Sequence, residues 1–413
     1  MRIGIFEDEY YRYFQPLARL RPIFDLRCGI YLLREKTSIR FPNIPTDYFV
    51  RDILKSLMQE TYASIRINEV VSSSYLFINA RLLADSSFYS FLHSAEDGQY
   101  ILIDGELAAA RLNATHLSLL AFDEEGLLVF PSDDRLKIIS YDKPGSKMAH
   151  YIWDLISENG KQLIDDFQLS PGSGYCGGQL FEGVHLIKEE NIFIGKNSKI
   201  YPGVTISAEN GQVFIGDEVT IMPNSYIQGP CSLGEKTLIK AGSKIYGNTS
   251  IGHNCKIGGE IEGSIIHSFS NKQHDGFLGH AYLGQWVNLG ANTNNSDLKN
   301  NYSTIKAYAN GALTDTGLLF LGLIMGDHSK TGINTMFNTG TMVGIMCNIF
   351  GADFPPKYIP DFSWGGKNGL ELYKIENALQ TAHIVMSRRN QTLSAEMENL
   401  IKYYYNQALL NYS

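Results

Sequence analysis

The stretch 268–306 gathers the side chains of this sequence best suited to chemistry: His274, Asn288, Asn292, Asn295, Asp297, Lys299 and Lys306. An imidazole titrates near neutral pH, so His274 could take a proton from an attacking amine or hydroxyl. Asn amides and loop N–H groups could position a substrate or steady an oxyanion. Lys299 and Lys306 could hold a phosphate as point charges. His280 and His328 are alternative bases, and His253 and His267 read as surface or turn residues. The competing explanation is structural, because Asn tolerates left-handed backbone and is common in turns.

What positions these residues is a repeat. Ile or Leu recurs at every sixth position through Ile215, Ile221, Ile227, Leu233, Ile239, Ile245, Ile251 and Ile257, often followed by Gly. Six is a multiple of two, so short strands can turn all eight the same way. This is the hexapeptide pattern of a β-helix, whose coils stack their apolar residues. Ile194, Ile200 and Ile206 keep the phase before a slip of three. Phe277, Leu283 and Leu289 recover the step, as do Phe337, Val343 and Ile349. The polar segments between are expected to leave the coil as loops, where binding residues gather.

The first 165 residues differ in texture. Strands are expected at 3–6, 75–78 and 100–103 and helices at 47–60 and 86–93, an α/β domain. Residues 166–190, with Pro171-Gly172 and Gly177-Gly178, read as a linker, and 191–352 as the β-helix. Residues 353–413 read as a C-terminal helical segment, with helices at 370–389 and 393–405.

Bulk properties narrow the function classes. The 413 residues include 35 basic and 43 acidic ones, a net charge of −8. A uniformly basic nucleic-acid face is not supported, and anionic membranes are repelled on average. The N-terminus turns acidic too early for a signal peptide. The most apolar stretch, 317–325, falls far short of the roughly 20 residues that span a bilayer. A soluble, cytoplasmic protein is expected. Five scattered Cys without CxxC spacing argue against a disulfide framework or a structural zinc site and read as buried free thiols.

These residues carry a resemblance to the bifunctional sugar-1-phosphate nucleotidyltransferase/N-acetyltransferases. Their acyltransferase motif runs roughly H-x-x-Y-x-G, then V-N-x-G-A-G-T. His274, Gly279, Val287, Asn288, Gly290, Ala291 and Thr293 match it, and 326–334 resembles a later G-x-H-x-x-T-G-I-N stretch. The resemblance implies a Rossmann-like α/β nucleotidyltransferase domain, then a left-handed parallel β-helix and C-terminal helices. It implies His274 as general base toward an amino sugar phosphate, acetyl-CoA as acyl donor, and a homotrimer. Phe277, Asn288, Asn292, Asn295, Asp297, Lys299 and Lys306 are the candidate substrate contacts, and Lys306 aligns with a basic residue near the family's acceptor site. Phe277 stands where the family has Tyr, Asn292 replaces a Gly, and Asp297 stands where the motif ends in Asn.

The first domain resembles a divergent branch of sugar nucleotidyltransferases through Pro16-Leu17, Arg21-Pro22, Leu26-Arg27, Gly29 and Arg34-Glu35-Lys36. Ordinary members bind nucleotide phosphates with a Gly-rich loop. Here that stretch is Glu7-Asp8-Glu9-Tyr10-Tyr11. Asn79 occupies the place of an Asp that holds Mg²⁺, and Asp85 and Asp104 are further possible ligands. Arg19, Arg21 and Arg27 could bind phosphates or pair with nearby acids. Two function classes therefore stand: a transferase of sugar-nucleotide biosynthesis, or a non-catalytic protein that binds or senses a sugar nucleotide.

Overall fold

The computed structural model describes residues 1–170 and 172–412. Pro171, in the expected linker, and Ser413, at the end of the expected C-terminal segment, lie outside them. The N-terminal domain is a six-stranded sheet in the order Thr46–Phe49, Arg2–Phe6, Ser74–Asn79, Glu106–Asn113, Gln99–Ile103, Lys137–Ser140. Only Glu106–Asn113 runs against the rest. Strands 2–6 and 74–79 are apolar and buried on both faces, as central parallel strands must be. The expected helix at 47–60 divides: Thr46–Phe49 is a strand and the helix is Asp52–Thr61. Its first residues pair with Ile3–Phe6, where a buried ladder outweighs helical spacing.

The second domain is a β-solenoid of the left-handed parallel β-helix kind, about ten turns long. Three parallel sheets form its walls, and Ile215, Ile221, Ile227, Leu233 and their successors all point inward at 0% exposure. The slip between Ile206 and Ile215 is a corner loop between Thr205–Ser207 and Val213–Ile215. The first coil starts within the expected linker, since Gln179–Leu180 and His185–Ile187 already pair with the next turn. At the other end, Tyr358–Ile359 and Ser363–Gly366 extend the coil past residue 352. Their inward residues, Leu180 and Leu186 opposite Ile200 and Ile206 and Ile359 opposite Val343, fall out of the six-residue phase, so the hexads do not reveal them. The C-terminal helices are Ile375–Ser387 and Ala395–Tyr412, because Gly369–Leu372 pairs as a strand with Ser363–Gly366.

Phe277, expected on the apolar ladder, is not part of it: Leu278 points inward beside Ile261, and Phe277 faces out. His267 is 2% exposed rather than on the surface. Cys28, Cys231, Cys255 and Cys347 are buried thiols whose burial pushes them up to about 12, whereas Cys176 is exposed. Among the described residues no helix is long and apolar enough to cross a membrane.

The domains are packed side by side. Ile265, Tyr282, Ile324 and Met342 occupy outward positions of one solenoid sheet and join the core of the N-terminal domain. The Tyr282 hydroxyl accepts from the Arg27 N–H at 2.7 Å and donates to the Arg27 carbonyl at 2.8 Å. Asn159 bridges Gly29, Asn248 and Ser250 at 2.7–2.9 Å.

Candidate functional site

The sequence cluster 274–297 is spread by the coil over two neighbouring corners and the strand between them. At the first corner His274 is exposed and shares a groove of about 510 Å³ with Lys240, Asp275 and Asn292. Asn292 is held at φ 56° and donates to the Asn334 carbonyl oxygen of its side chain at 2.9 Å. Gly276 (φ 119°) permits this turn, since a Cβ would run into the Thr293 carbonyl. Phe277 follows on the outer face of Phe277–Gly279, and its N–H donates to Asn294 Oδ1 at 2.7 Å.

At the second corner His280 Nδ1 lies 2.8 Å from Asp297 Oδ2. Gly263 makes room for the ring, because a Cβ there would come within 2.9 Å of it, and a Cβ on Gly279 would collide with Asp297. A carboxylate on Nδ1 fixes the tautomer and leaves Nε2 as the basic atom. The sequence contained both residues, but a spacing of 17 positions is uninformative until one knows that one coil separates them.

The other expected contacts have structural partners. Asn295 is buried, and its amide accepts from Gly279 N–H at 3.0 Å and donates to Gly279 O at 2.9 Å. It thereby replaces a ladder rung where 298–320 leaves the coil, and no amide hydrogen is left facing a substrate. Asn288 lies on an outer sheet face beside Asn271, at 3.4 Å. Lys299 donates to Ser303 and Thr304 within its own loop. Lys306 is exposed on the hairpin Lys306–Ala309/Ala312–Asp315, which packs against the N-terminal residues 9–14. His328 is 3% exposed and stacks on Trp286.

Beneath His274 the inward column Ile200, Ile221, Ile239, Ile257 continues with Lys272. Lys272 is 1% exposed, and its ammonium donates to the His274 carbonyl at 2.8 Å and reaches the Gly258 carbonyl at 3.4 Å. Burial lowers it from 10.5 to about 8. The unfolded chain holds this proton more tightly, so stability rises with pH between about 8 and 10.5. Lys272→Met keeps the stem and removes the buried charge. Thermal unfolding should show a more stable variant at pH 7, by about 1–3 kcal/mol, with a shallower rise between pH 8 and 10.5 than wild type.

In the N-terminal domain a second polar cluster closes the ends of Arg2–Phe6 and Ser74–Asn79, where open α/β sheets bind ligands. Asn79 donates to Asp8 at 2.8 Å and to Leu107 O at 3.1 Å. Arg81 is bracketed by Asp8 and Glu106 and lies 4.0 Å from the Tyr10 ring. Burial pushes Glu106 up, but hydrogen bonds from His150 and Arg81 outweigh it and hold the carboxyl below its ordinary range. The acids near Asn79 are thus committed to a guanidinium and do not fit Mg²⁺. Asp85 caps the helix Ser86–His93, and Asp104 sits in a tight turn at φ 52°. Among the described residues no group of three or more His, Cys, Asp or Glu side chains is placed to hold a metal.

Glu7, fully buried, takes both oxygens to Arg51 at 2.7 and 2.9 Å and one to Ile23 N–H at 2.8 Å. Of the expected phosphate-binding arginines, Arg19 pairs with Asp361 at 3.0 Å and Arg21 with Asp327, both on the solenoid. Arg27 donates to its neighbour Ile30 O.

Comparison with known proteins agrees with this division. Residues 3–172 match the sugar nucleotidyl transferase family, and 212–247 match the bacterial transferase hexapeptide (six repeats). Both domains therefore carry transferase-family signatures. A bifunctional protein GlmU of Rippkaea orientalis is 33% identical over 150 residues, 35% of this chain and 27% of that protein. A bifunctional sugar-1-phosphate nucleotidylyltransferase/acetyltransferase of Sulfurisphaera tokodaii is 25% identical over 245 residues, 57% of this chain and 54% of that one. The matches thus span between a quarter and just over half of these relatives. A UDP-N-acetylglucosamine acyltransferase from Campylobacter jejuni aligns over 55% of this chain and 95% of its own, at 14% identity and a TM-score of 0.26, too low to bear on function.

Proposed function

We propose that this chain, built from a sugar nucleotidyl transferase domain and a hexapeptide-transferase solenoid, is a transferase of sugar-nucleotide biosynthesis. Its reaction is transfer of acetyl from acetyl-CoA to the amine of an amino sugar phosphate at the solenoid. The observation that carries this reading is the open groove in which His274 stands beside Asn292 and Lys240. In the reaction the amine nitrogen bonds to the thioester carbonyl carbon and His274 takes the amine proton. The C–S bond breaks and the CoA thiolate leaves to be protonated. Asn292 and nearby backbone N–H groups would steady the oxyanion. Phe277 offers an apolar face, and Lys306 a cation at the end of its hairpin. A homotrimer would bring a neighbouring solenoid against this groove, as the resemblance implies, and the cytoplasm is the compartment where acetyl-CoA and sugar phosphates meet.

A second base is favoured by one specific distance, the 2.8 Å between His280 and Asp297. For the N-terminal domain, the guanidinium of Arg81 between Asp8 and Glu106 favours binding of a sugar nucleotide or sugar phosphate without nucleotidyl transfer. The experiment is a paired assay. Free CoA should appear from acetyl-CoA with glucosamine 1-phosphate or a related amino sugar phosphate. Pyrophosphate should not appear from a nucleoside triphosphate and a sugar 1-phosphate, with or without Mg²⁺. Pyrophosphate release dependent on Mg²⁺ would show that Asp8 or Glu106 can exchange Arg81 for the metal.

A further inference from the structure

Between the N-terminal domain and the solenoid lies a cavity of about 270 Å³, walled by Arg21, Arg27 and Arg34 on one side and His253, His267 and Gln285 on the other. Arg34 has its own counter-ion, Asp25, which also accepts from the Tyr62 hydroxyl at 3.0 Å. Glu35, the remaining acid of the wall, lies 3.9 Å from Arg34 and accepts from the Leu32 N–H at 2.8 Å. Arg21 is paired with Asp327, but its Nη1 is buried without a hydrogen bond. Arg27 is 8% exposed, has no carboxylate within 4.0 Å among the described residues, and leaves its buried Nε without a partner.

A buried guanidinium with no counter-ion is costly, and an unpaired buried donor adds to that cost. The imidazoles facing it do not supply the missing negative charge. Burial, with the fields of Arg21 and Arg27 behind it, holds His267 well below its ordinary range, and His253 is lowered in the same way by burial and Arg27. His267 accepts from Ser268 N–H at 2.9 Å, so its Nε2 carries the hydrogen and donates to Asp25 O at 3.0 Å.

We infer that this cavity is a binding site for a phosphoryl group, free or carried on a sugar, with Arg27 and Arg21 as its cationic wall. The cavity is smaller than the roughly 300–1,000 Å³ of ordinary small-molecule sites, which suits a compact anion and not a whole nucleotide. Its two walls belong to different domains, so the anion stabilises their docking. The inference does not rest on acetyl transfer at the solenoid.

The test is thermal unfolding of the full chain in inorganic phosphate against chloride at matched ionic strength. The unfolding midpoint should rise saturably with phosphate, as a ligand of the folded state requires. Arg27→Gln should abolish the rise, whereas Arg135→Gln, at an exposed surface pair, should keep it. His253→Glu, which places a resident carboxylate in the cavity and keeps both arginines, should also abolish it and serves if Arg27→Gln does not fold. Glucose 1-phosphate as a second probe separates the sources: half-saturation below that of inorganic phosphate means a sugar phosphate, and above it the free ion. An absent rise, or an equal rise in both cavity variants, overturns the inference.

Discussion

His274→Ala should lower the proposed acetyl transfer by about 10²-fold or more, the size of a general-base contribution, and leave thermal stability within about 0.5 kcal/mol. The side chain is exposed on a coil corner and supports nothing beneath it, so its loss cannot act through folding. The loss should fall on kcat more than on KM, because the proton moves only in the transition state. His280→Ala is the matched comparison. If His274 is the base, that variant retains most of the activity. If the order of the two variants is reversed, the imidazole oriented by Asp297 is the base, and Asp297→Asn should then lose activity with it. Wild-type activity in both single variants would exclude either imidazole as the sole base.

Arg51→Met destabilises the protein by about 3–5 kcal/mol, the cost of leaving a buried carboxylate without its partner. Glu7 has no access to water, and burial already pushes its carboxyl above the ordinary range while Arg51 pulls it back. Without Arg51 it rises further. A group with a raised folded pKa contributes stability at low pH that is lost as pH rises through that value. The deficit of Arg51→Met should therefore be smallest in acid and grow toward neutral pH. Adding Glu7→Gln should recover part of it. Urea unfolding of the three proteins at pH 5 and pH 7 measures this. A pH-independent deficit would mean that Glu7 is not the group left exposed to the penalty.

The solenoid was legible because stacking imposes a strict period, and Ile at each sixth residue has no other simple cause. Its ends were not, since Leu180 and Ile359 stand opposite Ile200 and Val343 but out of the six-residue phase, and Gly365 opposite Ile349 has no side chain to mark the column. The polar segment 264–276, expected to leave the coil as a loop, stays in it: Ile265–Ile266 and Asn271–Lys272 are ladder strands, and the place of Lys272 in the inward column emerges only from the register with Ile257. Phe277 and Leu278 are adjacent and both apolar, so pattern alone could not choose which faces in. The acids 7–9 and the arginines 19–27 were visible as charges. Their pairing across the chain, Glu7 with Arg51 and Arg21 with Asp327, depends on contacts 44 and 306 residues apart that no local rule supplies. Tyr282 had a signal, an aromatic at an outward strand position, which marks a sheet face that another domain covers.

Acetyl transfer at the solenoid to an amino sugar phosphate is the proposed reaction. The most direct measurement is mass analysis of glucosamine 1-phosphate and related amino sugar phosphates after incubation with acetyl-CoA and the purified chain, with free CoA titrated in the same samples. One of these acceptors should gain one acetyl group per CoA released, and the His274→Ala and His280→Ala double variant should yield neither product. CoA release without an acetylated acceptor, or no turnover with any amino sugar phosphate while sugar nucleotide still binds saturably, would rule out this transfer and leave a binding protein in its place.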